Sequence, residues 1–536
     1  MQMKENAGSQ RVVRWLWYGA LALFGVTMAW NLAWVLFGSS GEWVCKQHFT
    51  FSQGAFLAAL LLCLAGWRLS RHRDGLEKAL AARSRWLLWV MTLLLFAFQA
   101  TFAYFSCFRT GWDSSAILYG AECLANGKSA QLAEQYGAYY SRVPYQLVIT
   151  WIFAVAVRVG RLFGATALYS TILLQCVIFA CTAVLLFRVS LKLTGSHTFS
   201  WGVWLVYAMY IGVSPWVMIP YSDAVGLLFP IALFWLYLGR KQNGQDILRW
   251  LFMGAITAVS FQIKPQTVIV SIAVWLVTAV ELFRKNAAGK KCVAKQGVAF
   301  IAGLTLVAAF LGQVIIPVCQ VPLDKEKRFG MAHMAMMGLS VERNGVYDGD
   351  DVRFSASFAT RAERTAGNLR VIRERLAQLG PGGLLHHLGK KTQVNYGDGS
   401  FAWTQEGNFF METYPDRDRV LSPFFKNLFY SDGKYFSGFM TWNDLIWYTL
   451  LVGSLGLVLL LRGEPDMNYV VMALSIVGLS VFELLFEARA RYLYTFAPLF
   501  VLMGALGWRA WLCPAKTGES APEPWARGKG RAGRGS

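Results

Sequence analysis

The chain has 536 residues, of which 55% are hydrophobic and only 15% are charged. Soluble domains carry about 25% charged residues, and the mean hydropathy of +0.40 also indicates a surface that faces lipid. The net charge of +20 does not indicate nucleic-acid binding, because Lys and Arg form short clusters between apolar runs, as the positive-inside rule produces. The composition therefore predicts an all-α polytopic membrane protein with membrane lipids around it and no nucleic-acid partner.

The apolar runs set the predicted topology, since a membrane-spanning helix needs about 20 apolar residues. About twelve runs qualify, at 15–37, 51–67, 86–106, 166–187, 198–215, 223–239, 250–263, 267–283, 297–318, 443–461, 467–487 and 492–512. If the basic clusters between these runs face the cytoplasm, both termini do too. We therefore predict a multi-pass protein of the cell membrane with cytoplasmic N- and C-termini.

This topology divides the chain into five parts. They are an N-terminal pair of spans with a basic loop (1–85), a transmembrane core (86–318) with a first outer loop (107–165), an extracytoplasmic loop domain (319–442), C-terminal spans (443–513), and a basic tail (514–536). The tail is rich in Gly and Pro and is predicted to be disordered. Two long segments, 107–165 and 319–442, thus lie on the outer face.

Three stretches of these outer segments are predicted to be surface helices. Residues 145–163 are apolar enough to span, but a span there would put the later basic loops on the wrong side. We expect a helix lying on the outer surface, with Arg158 and Arg161 at the lipid headgroups. Residues 114–126 have helical apolar spacing, and 363–379 predict an amphipathic helix.

The cysteine and histidine patterns indicate no metal site and leave one disulfide open. Of the nine cysteines, only Cys107 and Cys123 share an outer segment, and a disulfide between them stays open. No CxxC pair or HExxH motif occurs, so the sequence offers no metal-ligand motif. It leaves a divalent metal open as a cofactor.

Charges that break the positive-inside pattern are the main functional signal, because charges at membrane level are costly and usually functional. The basic ones are Arg109, Arg142, Lys264, Arg489 and Arg491, and the acidic ones are Asp113, Asp223 and Glu487. Arginines clamp phosphate oxygens, and a carboxylate can accept a proton. Plainer roles compete: Asp113 and Asp223 could cap helices, Lys264 could extend to the interface, and Arg489 and Arg491 could be interfacial anchors.

The order of these elements resembles a known class. An early loop Asp (Asp113) precedes two surface helices, Tyr221–Asp223 opens a later span, Lys264-Pro265 forms a hairpin, and Arg491–Tyr494 opens the last span. Together with Met336–Asp351 and Asn395–Trp403, the pattern resembles the GT-C class of polyprenyl-phosphate-sugar-dependent glycosyltransferases. Its nearest members would be the protein O-mannosyltransferase and lipid A aminoarabinose transferase group. The likeness runs loosely over residues 90–510.

The resemblance implies a GT-C-like bundle that moves a sugar from a polyprenyl-phosphate donor to a glycan, lipid or protein acceptor on the extracytoplasmic face, with inversion. It implies that Asp113 is the catalytic base and Asp223 the second acid. Arg489, Arg491 and Lys264 would bind the donor phosphate. Further candidates are Arg142, Tyr221, Glu487 and Tyr492. The sequence departs from the pattern of the subfamily at two places. Arg142-Val143-Pro144 stands where mannosyltransferases have His-Pro-Pro or Lys-Pro-Pro. Ser114 follows Asp113, where some relatives have Glu.

Two other classes stay open. A transporter or lipid flippase for envelope precursors also has about twelve spans and broken helices with charges, although no matching halves occur in this sequence. A noncatalytic assembly factor for envelope polymers is the third reading. A flux that needs Asp223 but no lipid-linked donor would favour transport over transfer.

Overall fold

The computed structural model describes residues 7–38, 74–240, 246–282 and 287–512. Helices dominate these ranges, and the strands found in them form one two-stranded sheet. The all-α polytopic prediction is confirmed. The predicted span at 51–67 and the tail at 514–536 lie outside the described residues.

The helices follow one another with few long gaps. Those before residue 241 are α1 (Ala7–Phe37), α2 (Asp74–Ser106), α3 (Trp112–Ala125), α4 (Ser129–Arg142), α5 (Gln146–Arg161), α6 (Ala167–Thr194), α7 (His197–Tyr207), α8 (Ser222–Gly226) and α9 (Leu228–Leu238). Those after it are α10 (Ile247–Ile263), α11 (Ile269–Leu282), α12 (Ala287–Phe310), α13 (Ile316–Val318), α14 (Met331–Gly338), α15 (Gly349–Ala356), α16 (Arg361–Tyr396), α17 (Leu421–Phe429), α18 (Phe436–Leu455), α19 (Met467–Leu485), α20 (Ala490–Tyr494) and α21 (Ala497–Leu512).

Within the described ranges, seven helices are long and apolar enough to cross a membrane. They are Arg11–Phe37, Gly75–Ser106, Ala167–Thr194, Pro265–Leu282, Gly289–Val318, Phe436–Arg462 and Met467–Leu485. Three shorter apolar helices, Ser222–Leu238, Ile247–Ile263 and Ala497–Leu512, coincide with further predicted runs.

Runs 198–215 and 492–512 are among the predicted runs that are interrupted in the structure. Run 198–215 ends its α-helix at Tyr207 and continues as a π-turn, Ala208–Gly212, followed by a 3-10 turn, Pro215–Met218. Run 492–512 is split between α20 and α21. Proline causes such breaks because it lacks an N–H and is tolerated only in the first turn of a helix. Pro215 and Pro498 both stand there.

The two long segments meet on one side of the helices. Strand β1 (Phe108–Thr110) from segment 107–165 pairs antiparallel with β2 (Phe410–Thr413) from segment 319–442. Phe108 lies opposite Thr413, and Thr110 lies opposite Phe410. This pairing fixes the two segments to each other. The orientation of that side, and of the termini, stays a prediction.

Helix α5 has 16 residues, which gives about 24 Å of helix, less than the roughly 30 Å of a bilayer core. It packs on α3 and α6. Arg158 donates to the carbonyl of Leu124 at 2.8 Å, and Arg161 donates to the side chain of Asn126 at 2.7 Å. The expectation that both arginines serve lipid headgroups therefore misses their contact with the C-terminal end of α3, where cations are favoured.

The amphipathic helix predicted at 363–379 forms the first part of α16. Thr360 and Glu363 make a capping box at its start. Gly380 has φ 58° and precedes Pro381, so the helix changes direction there. The sequence had left a Cys107–Cys123 disulfide open, and both thiols are free and buried.

Helices α10 and α12 pack through two glycines. A Cβ atom added to Gly254 would collide with the carbonyl oxygen of Phe300, and one added to Gly303 would collide with that of Leu251. Small residues let membrane helices approach this closely.

We expect Gly254→Val to reduce the free energy of unfolding in detergent by about 3 kcal/mol, because backbone atoms cannot yield to a new side chain. Gly202→Val is the matched control, since the space around Gly202 is open, and its effect should stay within about 0.5 kcal/mol. Equal losses in the two variants would contradict the close packing of α10 on α12.

Candidate functional site

The candidate site lies where apolar helices are interrupted. Lys264 precedes Pro265, and proline disfavours helical backbone in the residue before it. Lys264 is accordingly extended, with φ −147° and ψ 93°, and ends α10. Tyr221 and Arg489 are extended N-cap residues of α8 and α20. Each break presents a polar side chain at the end of an apolar helix.

Asp223 joins two of these breaks. Its Oδ1 is ion-paired with the Lys264 ammonium, and its Oδ2 lies 2.9 Å from Nη1 of Arg491. The carboxylate is 1% exposed and makes no cap hydrogen bond in α8. The structure therefore excludes the capping role for Asp223 and the interface-reaching role for Lys264. A buried ion pair of this kind needs both partners, since a single buried charge is very costly.

Arg489 and Arg491 are held by a carboxylate that the sequence analysis did not single out. Glu406 Oε1 lies 2.7 Å from Arg489 Nη1, and Glu406 Oε2 lies 2.6 Å from Arg491 Nε. Burial would raise the pKa of Glu406, but the two guanidinium groups outweigh it and hold that pKa below its ordinary value. Arg491 is thus buried, Arg489 is mostly buried, and both are paired, which excludes the role of plain interfacial anchors.

Glu487 and Tyr492 complete this ion-pair network. Arg489 Nε donates to Glu487 at 2.9 Å, and the Tyr492 hydroxyl donates to the same carboxylate at 3.0 Å. The Lys264 ammonium lies 4.3 Å from the centre of the Tyr492 ring. Rings this close attract a cation through their negative faces.

Asp113 differs from the other acids of the site. The Tyr221 hydroxyl donates to its Oδ2 at 3.0 Å, yet within the described part of the chain Asp113 makes no ion pair. Gly111, not Asp113, is the N-cap of α3, and no side chain caps that end. Burial raises the pKa of Asp113, and the nearby Arg491 only partly opposes this. The capping role is excluded, and Asp113 has the surroundings of a proton acceptor.

Trp112 connects Asp113 to the arginines. The Arg491 guanidinium lies 4.9 Å from the centre of the Trp112 ring, and that ring packs edge-on against Tyr221 at 4.8 Å. Trp112 has φ 46°, a left-handed conformation that a bulky residue rarely adopts. Such strain is often found at functional sites.

Buried aromatic donors position the turn that carries Glu406. The stretch Asn395–Trp403, which begins with the last two residues of α16, is buried, and its carbonyl groups accept hydrogen bonds from side chains of several elements. Tyr448 donates to Gly397, Tyr210 to Gly399 and Trp216 to Ser400, at 2.8, 2.6 and 3.0 Å. Asp398 accepts from the backbone N–H groups of Ser400 and Ala402. The loop is therefore fixed just before Glu406.

The stretch Met336–Asp351 positions Arg489 from the other side. Gly345 has φ 76°, and a Cβ there would clash with the carbonyl oxygen of Gly338 at the end of α14 and with the Lys391 side chain, so only glycine fits. Its carbonyl accepts from the N–H of Ala488 at 2.7 Å, between Glu487 and Arg489. Lys391 donates to the carbonyls of Leu484 and Phe486, which end α19. Both stretches quoted for the family resemblance thus pack at the ion-pair network.

Most of the sequence-predicted residues meet in this network. They are Asp113, Tyr221, Asp223, Lys264, Glu487, Arg489, Arg491 and Tyr492. Arg142 and Arg109 are engaged elsewhere: Arg142 lies 5.7 Å from the Phe329 ring, and Arg109 pairs with Glu122 at 2.6 Å. Glu406 and Trp112 were not predicted from the sequence. Glu406 lies three residues after the stretch Asn395–Trp403, and Trp112 directly precedes Asp113. No group of three or more His, Cys, Asp and Glu side chains in the described ranges is placed to hold a metal.

A family model described as conserved hypothetical integral membrane protein matches residues 7–511. The chain belongs to this family. The match includes every residue of the site. No curated protein and no solved structure matches the chain.

Asp223→Asn should reduce the free energy of unfolding by about 3 kcal/mol or more, because it leaves Lys264 and Arg491 buried without their shared carboxylate. Adding Lys264→Met should restore part of that loss. Denaturation of the purified protein in detergent measures both effects.

Asp350→Asn is the control for Asp223→Asn. Asp350 pairs with Arg353, but the two side chains are 81% and 75% exposed, so the loss should stay within about 0.5 kcal/mol. If Asp223→Asn cost no more than this control, the Asp223 pairs would not hold the helix breaks together.

Proposed function

We propose that this integral membrane protein is a GT-C-like glycosyltransferase. It would move a sugar from a polyprenyl-phosphate donor to a glycan, lipid or protein acceptor on the extracytoplasmic face. The observation that carries the proposal is the contrast within one site. Asp113 has no ion pair in the described structure, while Lys264, Arg489 and Arg491 lie together beside it.

In the proposed reaction, Asp113 accepts the proton of an acceptor hydroxyl as that oxygen bonds to the anomeric carbon of the sugar. The bond from that carbon to the phosphate oxygen breaks on the opposite face, and the electron pair leaves with the lipid phosphate. The hydroxyl of Tyr221 orients Asp113. Cations at the leaving phosphate stabilise its developing charge. This division of roles makes Asp223 a positioning residue, because both of its oxygens are held by cations.

The site must rearrange when phosphate binds. The three cations Lys264, Arg489 and Arg491 face the three carboxylates Asp223, Glu406 and Glu487. The pairs are balanced in charge, so an added phosphate would face like charges. Donor binding therefore requires that at least one carboxylate leave the arginines.

A transporter or lipid flippase is the second candidate. The interruptions at Lys264-Pro265 and Arg489 give charged side chains at broken helices, which transporters use to bind substrate. A flux across vesicles that needs Asp223 and proceeds without a lipid-linked sugar would favour this alternative.

We expect the purified protein, supplied with a polyprenyl-phosphate sugar, to transfer the sugar or slowly hydrolyse the donor. Asp113→Asn should lower the rate by about 10²–10⁴-fold, the usual contribution of a general base. The donors to test are the mannose, arabinose, galactose and glucose derivatives. Glu134→Gln, an exposed acid on α4, is the control and should keep full activity. Undiminished activity in Asp113→Asn would remove Asp113 as the base.

The same substitution should not destabilise the protein at neutral pH. Burial raises the pKa of Asp113 in the folded state, so the wild-type protein loses stability as pH rises above the unfolded value, whereas Asn does not titrate. The melting temperature of Asp113→Asn should equal or exceed that of the wild type at pH 7, and the difference should close on acidification. A lower melting temperature at pH 7 would mean that ionised Asp113 stabilises the fold.

A further inference from the structure

We propose that Glu406 occupies the subsite of the donor phosphate between Arg489 and Arg491, and that the phosphate displaces it on binding. This inference rests on the proposed glycosyltransferase function. It adds a residue outside the predicted machinery and a step that couples donor binding to the base.

The contacts of Glu406 define a subsite for two oxygens. One carboxylate oxygen lies 2.7 Å from Arg489 and the other lies 2.6 Å from Arg491. A phosphodiester also presents two unsubstituted oxygens on one atom. Arginines bind these oxygens in the same way as they bind the two oxygens of a carboxylate. The position held by the Glu406 carboxylate therefore suits the phosphate of the donor.

Of the three carboxylates that pair with the cations, Glu406 is the one that can leave. Asp223 is 1% exposed and is also held by Lys264. Glu487 is 7% exposed, belongs to the same stretch as the arginines and accepts from Tyr492. Glu406 is 14% exposed and comes from the separate segment 319–442.

The backbone around Glu406 also favours movement. Glu406 lies in a short π-turn, Trp403–Gly407. Phe401 and Ala402 before it have φ 56° and 63°, conformations that cost free energy in non-glycine residues. Asp398 and the buried donors hold the stretch up to Trp403, so the change that releases the carboxylate lies in the turn after it.

Trp112 links this movement to Asp113. The indole N–H of Trp112 donates to the backbone carbonyl of Glu406 at 3.3 Å, and Trp112 directly precedes Asp113. When Glu406 leaves the arginines, this hydrogen bond changes too. Donor binding would thus reposition the base, so that Asp113 becomes active only with a donor in place.

Charge balance supports the exchange. The donor phosphodiester and the Glu406 carboxylate each carry one negative charge, so replacing one with the other keeps the arginines neutralised. After transfer the lipid phosphate is a monoester with a charge between −1.5 and −2 at neutral pH, by the second pKa of about 6. Glu406 returns to the arginines when this product leaves.

The test uses tryptophan fluorescence to measure how tightly the full chain in nanodiscs binds polyprenyl phosphate that carries no sugar. Glu406→Gln should bind about tenfold or more tightly than the wild type, because a competing charge next to two guanidinium groups is removed. The variant should also melt at a lower temperature and regain stability when polyprenyl phosphate is added. Polyprenol, which lacks the phosphate, should show no difference between the two proteins.

Two further variants complete the design. Glu406→Asp keeps the charge but shortens the reach, so it should bind with intermediate affinity, and it serves if Glu406→Gln does not fold. Glu412→Gln is the matched control from the same segment. Its ion pair with Arg109 is 3.6 Å long, and the side chain is 57% exposed, so its affinity should equal that of the wild type.

The outcomes separate this inference from the proposed function. If the wild type binds polyprenyl phosphate and the Glu406 variants bind it equally or more weakly, Glu406 is a fixed partner of the arginines and the inference is wrong. If neither the wild type nor the variants bind the probe, the glycosyltransferase proposal fails together with the inference.

Discussion

The double ion pair of Asp223 is the contact on which the site depends. It connects α8 to the break after α10 and to the start of α20, three places that are far apart in the chain. Charges at the ends of apolar helices are costly without partners. The interruptions at Lys264 and before Arg491 are stabilised because both cations pair with this one carboxylate. The aromatic rings of Tyr221 and Tyr492 then enclose the cations.

Glycines and aromatic donors bring the outer segments to this point. A loop inside a helix bundle must have its backbone groups satisfied, and Tyr448, Tyr210 and Trp216 do so for the stretch that ends at Trp403. Gly345 does the same for Ala488 by adopting a conformation closed to other residues. Segment 319–442 is thus part of the site.

Most residues of the site could be predicted from the sequence, but the contacts between them could not. Lys264, Arg489 and Arg491 stand out because apolar surroundings make a charge conspicuous. Glu406 does not, since charges are ordinary in a polar segment and its turn has no periodicity. The roles of Arg158 and Arg161 depended on a neighbouring helix end, which hydropathy does not reveal. Hydropathy measures how apolar a run is and does not detect a break in its backbone. The interruption of run 492–512 was therefore missed, although Pro498 marks it.

The surroundings of the two aspartates give them different capacities. Both oxygens of Asp223 are held by cations, so its work is electrostatic and positional. Asp113 accepts a hydrogen bond from the Tyr221 hydroxyl and makes no ion pair with any described residue, and burial raises its pKa, so it can take up a proton. Two like groups whose environments set them apart can divide acid–base and electrostatic work. The same division explains why the site tolerates an acid without an ion pair: the neighbouring ion pairs hold the backbone, so Asp113 does not have to.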